Sequence, residues 1–287
     1  MKTINSLSGG KTSSYMAVHN EADYNLFSLV CINDSNSSPK DKKLVQEVND
    51  KLQKYCSDKP EFIATAEDDR TIKVVLDLEQ LIGKEIIWLR GDSFEIVNKK
   101  HGKTVPNMAR RYCTTDMKIR PIAEWVYHNI GNTECGDFQP VFSNVGIRYD
   151  EDHRAKHGRE RELETKIVIG KRGGNQNKWL DFKWGIANYP LINSKTHHYQ
   201  VRKFWESKHL IFPDDSNCVG CFWKDVQQLR RNWDDNFNKM NWFSQQEINS
   251  KYNYKSNMAY EQIKKIGLQQ DFFFGTGSGC QAGFCTD

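Results

Sequence analysis

Apolar and polar positions along the first part of the chain form segments that predict a strand, a helix, a second strand and a second helix. KTINSLS and NLFSLVCIND are short and largely apolar, a pattern typical of strands that are covered on both faces. TSSYMAVHNEA, between them, predicts a helix, and KDKKLVQEVNDKLQKYC predicts an amphipathic one. The apolar side of the second helix carries Leu44, Val45, Val48 and Leu52.

The alternation continues towards the middle of the chain. EFIATA predicts a third strand, IKVVLDLEQLIG a helix, and EIIWLR either a strand or the end of a helix. KIRPIAEWVYHNI predicts a helix that begins near Pro121, and PVFSNVGIRYD predicts a further strand. Strands that alternate with helices favour an α/β fold with a twisted, mainly parallel sheet flanked by helices.

The second half of the chain has a different character. The polar stretch 151–178 contains several glycines and many charges and predicts an excursion from the core, with a hairpin around ETKIVIG. From Tyr189 the chain is rich in tryptophan and mostly helical, and it ends in a glycine-rich tail. We therefore predict an α/β domain at 1–190 that contains the excursion, and a helical, cysteine-containing region at 191–287 packed on it.

Composition narrows the class of protein. The chain has 287 residues, 27% charged and 38% hydrophobic, as expected of a globular protein, and its net charge of +4 permits an anionic partner without requiring one. No apolar run approaches the ~20 residues that span a membrane, and the start lacks the apolar centre of a secretory signal. We expect a cytoplasmic protein with no membrane partner, in which eight cysteines indicate metal or redox chemistry rather than disulfides.

A glycine turn, SLSGGKTS, stands between the first predicted strand and helix. The commonest phosphate loop is G-x-x-x-x-G-K-[ST], and its first glycine would fall at position 5, where this chain has Asn5. What remains is a turn that presents backbone N–H groups and the positive end of a helix to a phosphate. The candidate phosphate-binding residues are Ser8, Gly9, Gly10, Lys11, Thr12 and Ser13.

Further charged residues are candidates for the same ligand. Arg111 and Lys118 belong to a basic cluster that predicts a second anion site, because guanidinium groups bind phosphate or sulfate with two hydrogen bonds. Arg148 lies near the end of a predicted strand, where open α/β sheets bind ligands. The acidic run 150–152 offers magnesium ligands. Asp34 either orients a ribose or a metal, or caps the following turn.

The cysteines support two alternative metal sites. Cys218 and Cys221 have a C-x-x-C spacing that lets two thiolates reach one metal, and this is also the spacing of a redox dithiol. In one alternative the pair joins Cys280 and Cys285 around a structural zinc ion. In the other, thiolates hold an iron–sulfur cluster and Cys280 stays a mobile thiol; that ligand set is Cys113, Cys218, Cys221 and Cys285. The three other cysteines are interpreted as core or incidental residues, namely Cys31, Cys56 and Cys135.

These motifs together resemble a known family. SLSGGKTSSYM is similar to the SGG-type pyrophosphate loop of the adenine nucleotide alpha-hydrolase-like superfamily, except that Thr12 stands where the loop usually has Asp. Four further segments resemble, in the same order, motifs of the phosphoadenosine phosphosulfate (PAPS) reductase-like branch found in phages and bacteria. They are PNMARRYCTTDMKIRP, SNVGIRYDEDHR, NCVGCFWKD and CQAGFC. Related reductases carry adjacent cysteines where this chain has Tyr112 and Cys113.

The resemblance implies an enzyme that acts on an adenine nucleotide in sulfur chemistry. In one version a thiolate of Cys280 or Cys285 attacks the sulfate sulfur of PAPS, and lysine and arginine side chains, Lys11 among them, stabilise the departing phosphate. In a second version the enzyme cleaves ATP, adenylates a base or acid, and transfers sulfur through Cys113 or a cluster sulfide. A third hypothesis, suggested by Thr12, is a silent nucleotide-binding module. Expected partners are an adenine nucleotide, magnesium, and a thiol reductant protein or a nucleic-acid acceptor.

Overall fold

The structure, a computed structural model, describes residues 1–59, 61–131, 138–155, 161–173 and 176–268. The strands are β1 (Thr3–Leu7), β2 (Tyr24–Leu29), β3 (Cys31–Ile32), β4 (Ala64–Thr65), β5 (Ile86–Arg90), β6 (Val141–Val145), β7 (Glu162–Lys171) and β8 (Asn177–Asn188). Six of them form one sheet in the order β5-β2-β1-β6-β8-β7. All neighbours in it pair in parallel except β7, which is antiparallel to β8 at the edge.

Helices connect and cover these strands. Those before β7 are α1 (Lys11–His19), α2 (Lys42–Tyr55), α3 (Asp69–Ile82), α4 (Phe94–Lys100), α5 (Tyr112–Thr114), α6 (Arg120–Asn129) and α7 (Asp152–Ala155). Those after β8 are α8 (Pro190–Asn193), α9 (His198–Glu206), α10 (Val226–Asp235), α11 (Phe237–Ile248) and α12 (Tyr260–Lys264). A π-helical turn, Thr115–Ile119, joins α5 to α6.

The central strands are covered on both faces. Consecutive residues of β1 and β2 are buried, whereas a strand with one solvated face buries only every second residue. Helix α6 packs across β2, β5, β7 and β8, and α1 packs against α3 and α9. The predicted α/β fold with a mainly parallel sheet is therefore confirmed, and its strand order is consistent with a Rossmann-like fold.

Two predicted strands differ from the structure. NLFSLVCIND divides at Val30 into β2 and β3. EFIATA contains a strand, as predicted, but a shorter one: it supplies only β4, which pairs antiparallel with β3 in a separate two-stranded sheet. The reason is tertiary packing, because this small sheet lies against the C-terminal helices in a core of its own.

The excursion is part of the main sheet. The predicted hairpin is present as β7 and β8, and β8 continues past it to pair in parallel with β6, with Val141 opposite Gly185. This segment is less hydrophobic than the other strands because many of its side chains are exposed, above all in the half of the hairpin next to the turn.

The segment after residue 190 contributes to two cores. Val201 and Trp205 of α9 belong to the core of the main sheet. Helices α10 to α12 instead build a second core with β3, β4 and α4, in which Trp233, Phe243 and Tyr260 are buried. Among the described residues, no helix combines the length and the apolar character that crossing a membrane requires.

Candidate anion and thiol sites

The glycine turn lies where the sheet changes direction. The chain leaves β1 towards β2 and β5 on one side and returns to β6 and β8 on the other. The carboxyl ends of β1 and β6 therefore diverge into connections on opposite sides, which opens the crevice where α/β sheets of this type bind ligands. The turn connecting β1 to α1 lies in that crevice.

Both glycines of the turn are required by their surroundings. Gly9 has φ +70°, a left-handed conformation that residues with a side chain rarely adopt, and a Cβ there would lie 2.5 Å from Thr71 Cγ2. A Cβ on Gly10 would lie 2.6 Å from Ser216 Oγ. The turn is therefore held close to two neighbouring segments, and its backbone remains uncovered by side chains of its own.

The N-terminus of α1 opens into this pocket. The first backbone bond of the helix runs from Ser14 N–H to the Gly10 carbonyl, so the N–H groups of the preceding residues point out of the helix end. The first turn contains no acidic residue that would repel an anion. The Ser13 hydroxyl accepts from Ser8 N–H at 3.2 Å and donates to the Gly10 carbonyl at 3.1 Å, which fixes the turn.

A buried arginine completes the pocket. The Arg148 side chain is only 10% exposed, and its Nη1 donates to the Thr12 hydroxyl at 2.7 Å. It also pairs with Asp150 and Glu151 at 3.2 Å each. Thr12 therefore holds the guanidinium, together with its two carboxylate partners, beside the helix N-terminus. The pocket is lined by Ser8, Gly10, Lys11, Thr12, Ser13, Gly146, Arg148, His198, Val201, Arg202, Pro213, Asp214, Asp215 and Ser216.

His198 is the histidine that lines the pocket. Burial lowers the pKa of its imidazole, and the positive charge of Arg148 lowers it further. The imidazole is therefore neutral near pH 7 unless an anion enters the pocket.

Asp34 has a structural position. Its carboxylate accepts from Asn36 N–H at 3.3 Å and from the Ser37 hydroxyl at 2.5 Å, and it caps the short 3₁₀ turn Ser35–Ser37. It does not line the pocket at the glycine turn. Of the two predicted roles, these contacts favour the cap.

Three cysteines share a second cavity. Cys113, Cys218 and Cys221 line it together with Asn217 and Lys118. Burial raises the pKa of the Cys113 thiol to about 12, and burial likewise raises the pKa of Cys218 and of Cys221. Cys280 and Cys285, predicted as thiol or ligand, lie outside the described residues, as does Cys135.

Two cations predicted for the nucleotide lie at this cavity instead. The Lys118 ammonium is 3.1 Å from the Glu67 carboxylate; burial opposes its charge, yet Glu67 and Cys218 raise its pKa above the ordinary value. The Arg111 guanidinium lies over the Trp223 ring at 5.2 Å. Apart from Asp34, the structure thus divides the described members of the predicted site between the glycine turn and the thiol cavity.

The donors at the cavity fit a thiolate-bound metal in type. Sulfur ligands select zinc or iron–sulfur clusters. The backbone N–H of Trp223 donates to Cys221, and the backbone N–H and the hydroxyl of Thr114 donate to Cys113. Asn217 Nδ2 is buried without a partner in the described part of the chain. As placed, however, no three His, Cys, Asp or Glu among the described residues are arranged around a metal position. Cys113, Cys218 and Cys221 are the cavity residues whose side chains could serve as ligands.

The two sites are neighbours along one short segment. Ser216 contacts the Ser8 hydroxyl at 3.2 Å, Asn217 lines the thiol cavity, and Cys218 is one of its thiols. Two residues span at most about 7 Å. A single small molecule bound at the glycine turn is therefore long enough to extend to the cysteines.

The fold and the turn define a class: a doubly wound α/β protein whose first helix begins at a glycine turn in the switch-point crevice. A comparison with family models, curated proteins and solved structures gives no match for the chain.

Some residues of the site have no distinctive sequence signal. Thr71, Glu67 and Ser216 reach the turn or the thiols only through tertiary contacts. For Ser216 one clue exists, because it immediately precedes the segment of the Cys-x-x-Cys motif. His198 was visible as one of a histidine pair, but nothing in the sequence places it beside Arg148.

Proposed function

We propose that the protein is an adenine-nucleotide-dependent enzyme of sulfur chemistry that resembles the PAPS reductase-like family. The observation that carries the proposal is the glycine turn, whose backbone leads into the uncapped N-terminus of α1 in the switch-point crevice, with Arg148 beside it. Such a site favours a phosphate or pyrophosphate group, because helix N–H groups and a guanidinium both donate to anionic oxygens.

The thiol cavity supports sulfur chemistry over simple nucleotide hydrolysis. Cys113, Cys218 and Cys221 lie next to the nucleotide pocket and share one cavity. In the PAPS version, a tail thiolate, Cys280 or Cys285, attacks the sulfate sulfur and the adenosine bisphosphate leaves. In the ATP version, the acceptor attacks the α-phosphate of ATP and pyrophosphate leaves. Sulfide from a sulfur donor then displaces AMP from the adenylated acceptor, a transfer that we assign to Cys113 or to a cluster. A metal or cluster would be held by the cavity thiols and would supply Lewis-acid or electron-transfer chemistry.

The experiment that tests the proposal separates binding from turnover. Titration calorimetry with ATP, PAPS and, as a control, GTP measures whether an adenine nucleotide binds. Assays for sulfite with a thiol reductant and for pyrophosphate with ATP then distinguish the two reactions. Tight binding with neither product identifies a silent binding module, and no binding of either adenine nucleotide refutes the proposal.

The cavity cysteines are expected to retain metal in protein purified without oxygen. Elemental analysis and an absorption spectrum distinguish a few irons per chain with a visible band from a single zinc without one. Because burial raises the thiol pKa values, metal uptake displaces protons and strengthens as the pH rises. We expect Cys218→Ser to abolish metal retention and Cys56→Ser to preserve it, since Cys56 donates to the Trp88 carbonyl and does not line the cavity. Equal metal content in both variants would contradict this assignment.

Nucleotide affinity is expected to rise as the pH falls from 8 to 6, because a polyphosphate would favour protonated His198. In the free protein, burial and the positive charge of Arg148 lower the pKa of His198. The negative charge of a bound polyphosphate opposes the effect of Arg148 and raises this pKa, so that binding takes up a proton. Calorimetry in two buffers of different ionisation enthalpy measures the proton uptake. His198→Gln should remove it, and His209→Gln, at an exposed position, should not. Unchanged uptake in the first variant would show that another group titrates.

A further inference from the structure

One surface of the protein is strongly basic. Residues 99–111 and 249–258 contain seven Lys or Arg and no Asp or Glu, although the whole chain has a net charge of only +4. We call these two segments the basic face. The cations are Lys99, Lys100, Lys103, Arg110, Arg111, Lys251 and Lys255.

Tertiary contacts join the two segments into one surface. Val105 N–H donates to the Ser250 hydroxyl at 3.0 Å, and the Asn107 amide donates to the Asn253 carbonyl at 3.5 Å. The Arg110 guanidinium lies 4.4 Å from the centre of the Tyr252 ring. Lys100 is paired with Asp92, but Lys103, Arg110 and Lys251 are exposed on this face.

The basic face also carries apolar and aromatic groups. Tyr252 is 42% exposed and Met108 is 66% exposed. Exposed aromatic rings among cations are the arrangement on which unpaired bases stack while lysine and arginine contact the phosphates. In a duplex the base faces are stacked on one another and are not available to such a ring.

The basic face borders the thiol cavity. Arg111 is two residues before Cys113, and its guanidinium lies over the ring of Trp223, which lines the cavity. A strand bound along the face would therefore run past the entrance to the three cysteines.

We propose that the basic face binds single-stranded nucleic acid, with phosphates on Lys103, Arg110 and Lys251 and a base stacked on Tyr252. That this strand is the sulfur acceptor rests on the proposed function, whereas its binding does not.

Fluorescence anisotropy with a short labelled single strand, at several salt concentrations, tests the proposal. In the triple variant Lys103→Asn/Arg110→Gln/Lys251→Gln, asparagine is chosen because Lys103 has a left-handed backbone with φ 57°. We expect at least about tenfold weaker binding and a log–log salt slope reduced by about 2, the loss for three phosphate contacts to a single strand. The control Lys42→Gln/Lys43→Gln/Lys73→Gln removes the same charge from exposed helix positions and should change neither quantity.

Tyr252 distinguishes stacking from general attraction. We expect Tyr252→Leu to weaken single-strand binding by about fivefold or more and Tyr252→Phe to retain it. The proposal is overturned if both triple variants bind alike, if duplex binds as tightly and without dependence on Tyr252, or if only anionic phospholipid vesicles bind. ATP titration of the same proteins separates the two proposals: oligonucleotide binding without ATP binding refutes the proposed function alone, and the reverse result refutes the basic face alone.

Discussion

Gly146→Ala is expected to weaken nucleotide binding by at least about tenfold, or ~1.4 kcal/mol. A Cβ at this position would lie 2.9 Å from Ser13 Cα and 3.0 Å from Ser13 N. Both are backbone atoms of the first turn of α1, so no side-chain rotation relieves the contact, and the helix N-terminus must move away from β6. The N–H groups and the Arg148 guanidinium would then no longer face the same anion.

Titration calorimetry with ATP and PAPS measures this effect, and thermal unfolding measures the accompanying strain. The matched control is Gly173→Ala, because a Cβ there would meet no atom of the described residues within 4 Å. Unchanged affinity in Gly146→Ala, with a circular dichroism spectrum like that of the wild type, would place the nucleotide elsewhere than at the glycine turn.

The elements that follow from local sequence were predictable. β1, the glycine turn and α1 are adjacent in the chain, and the turn contains glycines, which readily adopt the left-handed conformation found at Gly9. The apolar face of α2 was predicted correctly because Val48 and Leu52 recur at helical spacing, and both are buried. Because these residues are close in sequence, β1, α1 and the candidate phosphate-binding residues between them could all be predicted.

Long-range pairing explains what the sequence did not predict. β4 has only two residues, and its partner β3 lies more than thirty positions earlier, so the local pattern does not indicate which strands they pair with. β8 begins as an exposed, polar strand and becomes largely buried in its second half, which ends by joining β6. Strand pairing of this kind depends on the completed fold, and local propensity does not determine it.

The candidate site shows the same division between local and distant information. The Cys-x-x-Cys spacing predicted that the thiols of Cys218 and Cys221 lie close together. The fold brings Cys113 to them from another part of the chain. Lys118 was predicted to contact a phosphate because its charge is visible in the sequence. Its partner in the structure is Glu67, about fifty positions away, and no spacing rule connects the two.

Lys118→Met is expected to lower the free energy of unfolding by about 3–5 kcal/mol, the usual cost of removing one partner of a buried ion pair. Glu67 is 1% exposed, whereas the Lys118 side chain is 17% exposed, so water does not replace the ammonium at the carboxylate. The Thr65 hydroxyl, at 3.3 Å, is too weak a partner to compensate for the lost charge. Urea unfolding followed by tryptophan fluorescence measures the loss as a lower midpoint.

A second variant shows whether the buried charge is the cause. The double variant Glu67→Gln/Lys118→Met removes both charges, and we expect it to recover most of the stability lost in Lys118→Met. Lys183→Met, which breaks the exposed pair with Glu162, should leave the midpoint almost unchanged. If the double variant is no more stable than Lys118→Met, the loss comes from packing around the lysine stem, and Glu67 is not a charge that the fold must neutralise.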